Sequence, residues 1–260
     1  MQAYRSKGIK DIIAEFPGVG SILEEYGIGC GPCTVGICQL KDILEIHSLP
    51  REAEEELMLR IEAEIYPERD ISVPSRNAAP GSNVPDGCIF SKPVQVLVDE
   101  HGLIKRWLAL IPALAGKLDL GMDADRQVAE GGIDLIRSYA DRLHHGKEED
   151  ILFTYFDDSE DIFQVIYQDH TRARGLVQQM LQALGEKKSQ AFADNLLEYA
   201  ALLTEHIRKE DEVLFPWLDR RLGAEQKEEL MARFEKADGE LALNVEKYLD
   251  FIECLEQQLQ

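Results

Sequence analysis

No apolar run in this chain approaches the roughly 18–20 residues that span a bilayer. The opening segment, MQAYRSKGIKDIIAEF, lacks the apolar stretch and cleavage site of a secretory leader. Both absences make a cytoplasmic location the expectation. Basic clusters are missing too. The 260 residues carry a net charge of −21. Nucleic acid and anionic membranes are therefore poor partners, because binding to phosphate needs grouped Lys and Arg. Cysteine is scarce and odd in number, five in all, which argues against a structural disulfide framework. Histidine is also scarce, with six residues, five of them beyond position 100. No segment shows convincing strand alternation with turn signals.

What is present is helical patterning. Residues 66–90, YPERDISVPSRNAAPGSNVPDGCIF, hold four prolines and two glycines and mark a linker. It divides a small helical domain, residues 1–65, from a larger one, residues 91–260. The small domain breaks at Pro17 and has length for only a thin core. In the larger one, Leu97, His101, Ile104 and Leu108 form one stripe at three- and four-residue spacing. Pro93 suits a first helical turn, and Pro112 is expected to kink or end that helix. A second helix starts near Asp123–Asp125 and runs through His144 to about Phe156. A third spans about Asp161 to Leu184 and stops at Gly185. A fourth runs from about Ser189 to Leu222. A fifth is expected to break near Gly239. The fold class is all-α: a four-helix up-down-up-down bundle with a C-terminal helical extension, preceded by the small helical domain.

Two stretches repeat each other, RLHHGKEEDILF from Arg142 and TEHIRKEDEVLF from Thr204. In each a Glu follows a His by four residues, as His144–Glu148 and His206–Glu210. Residues four apart share a helix face, so each pair can reach one metal ion. Imidazole nitrogen with carboxylate oxygen suits iron, manganese or zinc. Two carboxylates able to bridge favour a dinuclear site. VDEHGLIKRWL and YQDHTRARGLV add His101 and His170, each directly after an acidic residue. All four bundle helices thus carry a histidine. The chain contains no Glu-xx-His, which separates it from the ferritin-like pattern, and no His-Glu-xx-His.

The segments DEH, HHGKEEDILF, QDH and HIRKEDEVLFP resemble the hemerythrin-like (HHE cation-binding) family over roughly residues 90–220. The resemblance implies a non-haem di-iron site, two iron ions, in a four-helix bundle. Its ligands would be His101, His144, Glu148, His170, His206 and Glu210, with the two glutamates bridging. Oxygen-carrying members have a fifth histidine four residues after the third-helix one; here that position is Arg174. His145 lies about 100° round an α-helix from His144 and is read as sitting behind the ligands. Tyr139, Tyr167 and Asp211 are further candidates for an open or bridging position.

The N-terminal GCGPCTVGIC gives Cys30, Cys33 and Cys38. A Cys-xx-Cys before a helix can form redox thiols; it can also hold zinc or a cluster, or be unreactive. IIAEFPGVGSILEEYGIGCGPC with LKDILEIHSLP resembles two small domains. One is the redox-disulfide domain associated with hybrid-cluster proteins; the other is the N-terminal domain of repair-of-iron-centres proteins. The combined resemblance implies reaction with nitric oxide or dioxygen in nitrosative or oxidative stress protection. It extends to repair of iron–sulfur clusters, with iron–sulfur proteins as partners and Cys30 and Cys33 as redox thiols. The alternative is a non-catalytic oxygen or redox sensor or an iron store.

Overall fold

A computed structural model of the chain describes residues 2–5, 7–26, 28, 39–40, 43, 49, 51–69, 71, 90–157 and 160–259. Among these there is no strand, only an isolated bridge between Gly8 and Gln39. The chain forms two compact units. One is Met1–Ile89 with Glu212–Leu218; the other is Phe90–Asp211 with Asp219–Gln260.

In the N-terminal unit a single turn at Gln2–Arg5 precedes α1 (Ile9–Glu15), α2 (Pro17–Glu25) and α3 (Arg51–Ile65). Pro17 stands in the first turn of α2, where its missing N–H costs nothing. The chain therefore breaks at Phe16 and restarts. Ile9, Ile12, Val19, Leu23, Leu57 and Ile61 are buried together, so this unit has an apolar core of its own.

The larger unit is built on α4 (Lys92–Ala115), α5 (Asp123–Leu135), α6 (Asp161–Gly185) and α7 (Ser189–Lys209), followed by α8 (Ala224–Leu241) and α9 (Glu246–Leu259). In α4 the buried residues Val94, Leu97, His101, Ile104, Leu108 and Ile111 recur every three or four positions. Pro112 falls in the last turn of the helix, too late to break it. Helix α6 packs on α7, α7 on α4, and α5 on α6, which closes the four into a bundle. The later helices α8 and α9 both lie against α4, and Tyr248, Ile252 and Leu255 of α9 join the common core. The start of α4 is pinned by Asp219, which accepts hydrogen bonds from the Ser91 N–H and hydroxyl.

Two features depart from the sequence reading. The break in the last segment falls after Leu241, not at Gly239, which sits inside α8. Ala242 makes the turn in the left-handed region at φ 46°. One glycine on an exposed helix costs only about 1 kcal/mol, so Gly239 does not end the helix. The second departure is in the doubled stretches. Helix α5 continues without interruption into a π-helical segment, Ile136–His145, and a second one, Glu148–Leu152, follows. Helix α7 continues likewise into Glu210–Leu214. A π-helix bonds each N–H one residue further back than an α-helix does, and such widened turns recur at functional sites.

Candidate metal centre

Four helices converge on one buried spot. Helix α4 brings His101, the π-helical continuation of α5 brings His144, His145 and Glu148, α6 brings His170, and α7 with its continuation brings His206 and Glu210. All seven are buried. Their donor atoms fall into two groups: His145, Glu148, His170 and His206; and His101, His144, Glu148 and Glu210. Within each group the atoms lie within 4.8 Å of one another. Glu148 belongs to both.

The Nε2 atoms point inward. Nε2 of His170 and of His206 are 3.0 Å apart. Glu210 lies 3.1 Å from His206 Nε2 and 3.3 Å from His101 Nε2. Glu148 lies 3.6 Å from His144 Nε2 and 3.5 Å from His170 Nε2. Outward, every one of the five imidazoles turns Nδ1 to a carboxylate. The pairs are His101–Asp211 at 2.8 Å, His144–Glu100 at 3.0 Å and His170–Glu149 at 2.5 Å. His145–Asp141 and His206–Asp169 are longer, both 3.5 Å. A carboxylate behind the ring fixes its orientation and makes the inner nitrogen a better donor. Cations hold those carboxylates in turn. Lys105 binds Asp211, Lys147 binds Glu100, and Lys209 binds Asp169. Arg174 binds both Glu149 and Asp141.

The inner atoms call for a cation. Both oxygens of Glu148, both of Glu210, Nε2 of His144 and both ring nitrogens of His145 are buried without a hydrogen bond. Each such orphan costs about 1–3 kcal/mol, and so many in one place are sustainable only if something charged sits between them. Electrostatics agree. Burial and the negative charge of Glu210 push the Glu148 carboxyl well above the usual carboxylate range. Burial would do the same to Glu210, but His206 and His101 outweigh it and hold Glu210 well below that range. Burial and neighbouring imidazoles hold His144, His145 and His170 below the ordinary value, in the neutral form that metal binding requires. Burial opposes charge on His206, yet Glu210 and Asp169 raise it to about 9. Imidazole and carboxylate donors in this mixture suit a first-row transition metal.

The six residues expected from the sequence are thus brought together. His145 joins them, although α-helical spacing placed it about 100° away from His144. Packing is the physical reason: His144 faces His101 of α4, while His145, one position round the helix, stacks on His170 of α6. Asp211 is not among the grouped donors; it stands behind His101. Tyr139 packs beside Tyr248, and Tyr167 stands edge-on to Phe153. Cys30 and Cys33 lie outside the described residues, as do Cys38 and Cys88. The carboxylates behind the rings were missed. Their signal was visible in the acidic residue preceding His101 and His170, and in the acidic residue five after His144 and His206.

The fold and site define an all-α bundle with buried donor groups able to hold metal cations. Residues 92–218 match the family model described as the hemerythrin HHE cation binding domain. Neither the curated proteins nor the solved structures give a match to the chain. Residues 1–91 lie outside the matched segment. No helix among the described residues is long and apolar enough to cross a membrane.

Proposed function

We propose that the chain is a non-haem di-iron protein that reacts with nitric oxide or dioxygen in protection against nitrosative or oxidative stress. The observation that carries this reading is the pair of donor groups sharing Glu148. A shared carboxylate between two sets of imidazoles is the arrangement that holds two metals at once. In this reading His101 and His144 serve one iron; His145, His170 and His206 serve the other; Glu148 and Glu210 bridge them. A bound iron pair supplies redox chemistry toward diatomic gases. The chain's own residues do the rest. Five carboxylates orient the imidazoles, and the buried packing around them excludes water. Lys105, Lys147, Lys209 and Arg174 pair with those carboxylates and hold them in place. Repair of iron–sulfur clusters belongs to the same reading, with iron–sulfur proteins as partners and with Cys30 and Cys33 as the thiols that pass electrons or iron.

A second reading, reversible binding in a sensor or an iron store, draws support from His145. With it the site offers five histidines, the number for which oxygen-carrying relatives were set apart from this chain above. The test is metal analysis and optical spectroscopy of anaerobically prepared, iron-loaded protein before and after nitric oxide and dioxygen. Two irons per chain and consumption of the gas support the first reading. A spectral change that reverses on removing the gas supports the second. Protein that takes up no iron overturns both.

A further inference from the structure

Helix α8 lies beyond the residues matched by the family model, 92–218, yet three of its residues reach the first doubled stretch or its end. Leu230, Phe234 and Asp238 recur every four positions and so share one face of the helix. Leu230 and Phe234 are fully buried, and this apolar face ends in the Asp238 carboxylate, 2.6 Å from Lys147 Nζ. The same ammonium stands 5.6 Å from the Phe234 ring centroid. Arg233 donates to the Asp150 carbonyl and to the Thr154 hydroxyl, both at 3.2 Å, and lies over the Tyr155 ring. Thr154 in turn donates to the Ile151 carbonyl. The last carbonyls of a helical segment have no partner within it. Arg233 and Thr154 therefore cap the segment Glu148–Leu152 that carries Glu148.

The doubled stretches show how particular this attachment is. Lys147 and Lys209 occupy equivalent positions, and each pairs with the carboxylate behind a donor imidazole. Lys209 pairs with Asp169 of α6, within the bundle. Lys147 pairs with Glu100 of α4 and also with Asp238 of α8. The line Asp238–Lys147–Glu100 ends on Nδ1 of His144. Arg233 acts on the same stretch from its far end, two residues past Glu148. Helix α8 thus bears on both members of the first His–Glu unit through side chains that are not themselves donors to the centre. Partners behind a metal-binding side chain set its orientation and affect metal affinity about 10–100-fold.

We propose that α8 is a clasp on the metal centre, with Asp238 and Arg233 as positioning residues that fix His144 and Glu148 and so set how slowly metal is released. The inference rests on the di-iron reading above. The test mixes anaerobic, reduced, iron-loaded full-length protein with ferrozine and follows iron release by the absorbance of the ferrous complex. Asp238→Asn removes the charge that anchors Lys147, and Arg233→Met removes the cap; each is expected to speed release about tenfold. Asp238→Glu keeps the charge and is expected to release iron at close to the wild-type rate. Gly132→Ala disturbs the bundle core at Trp107, away from α8; it is expected to lower the melting temperature without speeding release. Wild-type rates in Asp238→Asn and Arg233→Met overturn the proposal. So does release from Asp238→Glu as fast as from Asp238→Asn, or an equal acceleration in Gly132→Ala, which would make general stability the cause. The di-iron reading fails separately, at the earlier step, if the wild-type chain takes up no iron.

Discussion

Lys147 and Lys209 occupy the same place in the two doubled stretches, three residues after His144 and His206. Both are buried, which a lysine tolerates only when paired. Lys147 reaches Glu100 at 2.5 Å and Asp238 of α8 at 2.6 Å. Removing one partner of a buried pair leaves the other charge stranded. Lys147→Met is therefore expected to cost about 3–5 kcal/mol in urea unfolding; a loss below about 1 kcal/mol would mean that Glu100 is held adequately by His144 alone. Glu148 makes the opposite case. In metal-free protein its two oxygens are orphans beside another buried carboxylate. Glu148→Met should stabilise the metal-free chain by about 1–3 kcal/mol while abolishing metal uptake at this site, a trade that denaturation and metal analysis together would reveal. At this scale the sequence disclosed much. Spacing of four marked His144–Glu148 and His206–Glu210 because both members of each pair sit on one helix. His145 was passed over because a residue about 100° round a helix from His144 was read as facing away, whereas His170 of α6 and His206 of α7 lie on that side. The acids Glu100 and Asp169 were visible, but which histidine each serves was not, because each reaches across to a different helix from the histidine beside it in sequence.

Helix packing around α4 sets two further expectations. A Cβ on Gly132 would lie 2.6 Å from the Trp107 ring, and one on Gly131 would lie 2.7 Å from the Phe251 ring. The distances are alike but the neighbours are not. Trp107 is buried in the bundle core, whereas Phe251 is only partly buried on α9. Gly132→Ala should cost about 1–3 kcal/mol through overpacking, and Gly131→Ala less, since Phe251 can shift; equal losses in thermal denaturation would contradict this account. The Ser91–Asp219 contact at the head of α4 supplies a pH dependence. Burial raises the Asp219 carboxyl, but Ser91 and Lys227 outweigh it and hold it below the usual range. A depressed carboxylate contributes stability above its unfolded value, near pH 4, and loses it as pH falls through the lower folded value. Asp219→Asn should thus cost about 1–2 kcal/mol at pH 7, and the gap to wild type should close toward pH 2. A gap that stays constant across that range would show that the carboxylate charge is not what pins α4. The helices themselves were legible from periodicity, including the restart at Pro17 and the stop at Gly185. The break after Leu241 was not, since Ala242 carries no compositional sign of a left-handed turn.

Across the bundle the plan of donor residues is written twice. An acidic residue, His and a cation four further on recur as Glu100–His101–Lys105 and Asp169–His170–Arg174. His, Lys three on, Glu four on and an acid five on recur as His144–Lys147–Glu148–Glu149 and His206–Lys209–Glu210–Asp211. Each half lends its acids to the other set: Glu100 and Lys147 serve His144, as Asp169 and Lys209 serve His206. Asp211 and Lys105 serve His101, as Glu149 and Arg174 serve His170. The repeat in sequence is therefore a repeat of whole donor environments, and metal bound at its centre would tie α4, α5, α6 and α7 together. Anything that binds only the folded state stabilises it by about 2.7 kcal/mol at a hundredfold excess over its dissociation constant. For a unit of this size that is roughly 5–10 °C in melting temperature. Iron-loaded protein should melt higher than chelator-treated protein by that amount. The Glu148→Met variant should melt at one temperature under both conditions, because the group shared by both donor sets is gone. A chelator-dependent shift that survives in Glu148→Met would place the stabilising metal away from these four helices.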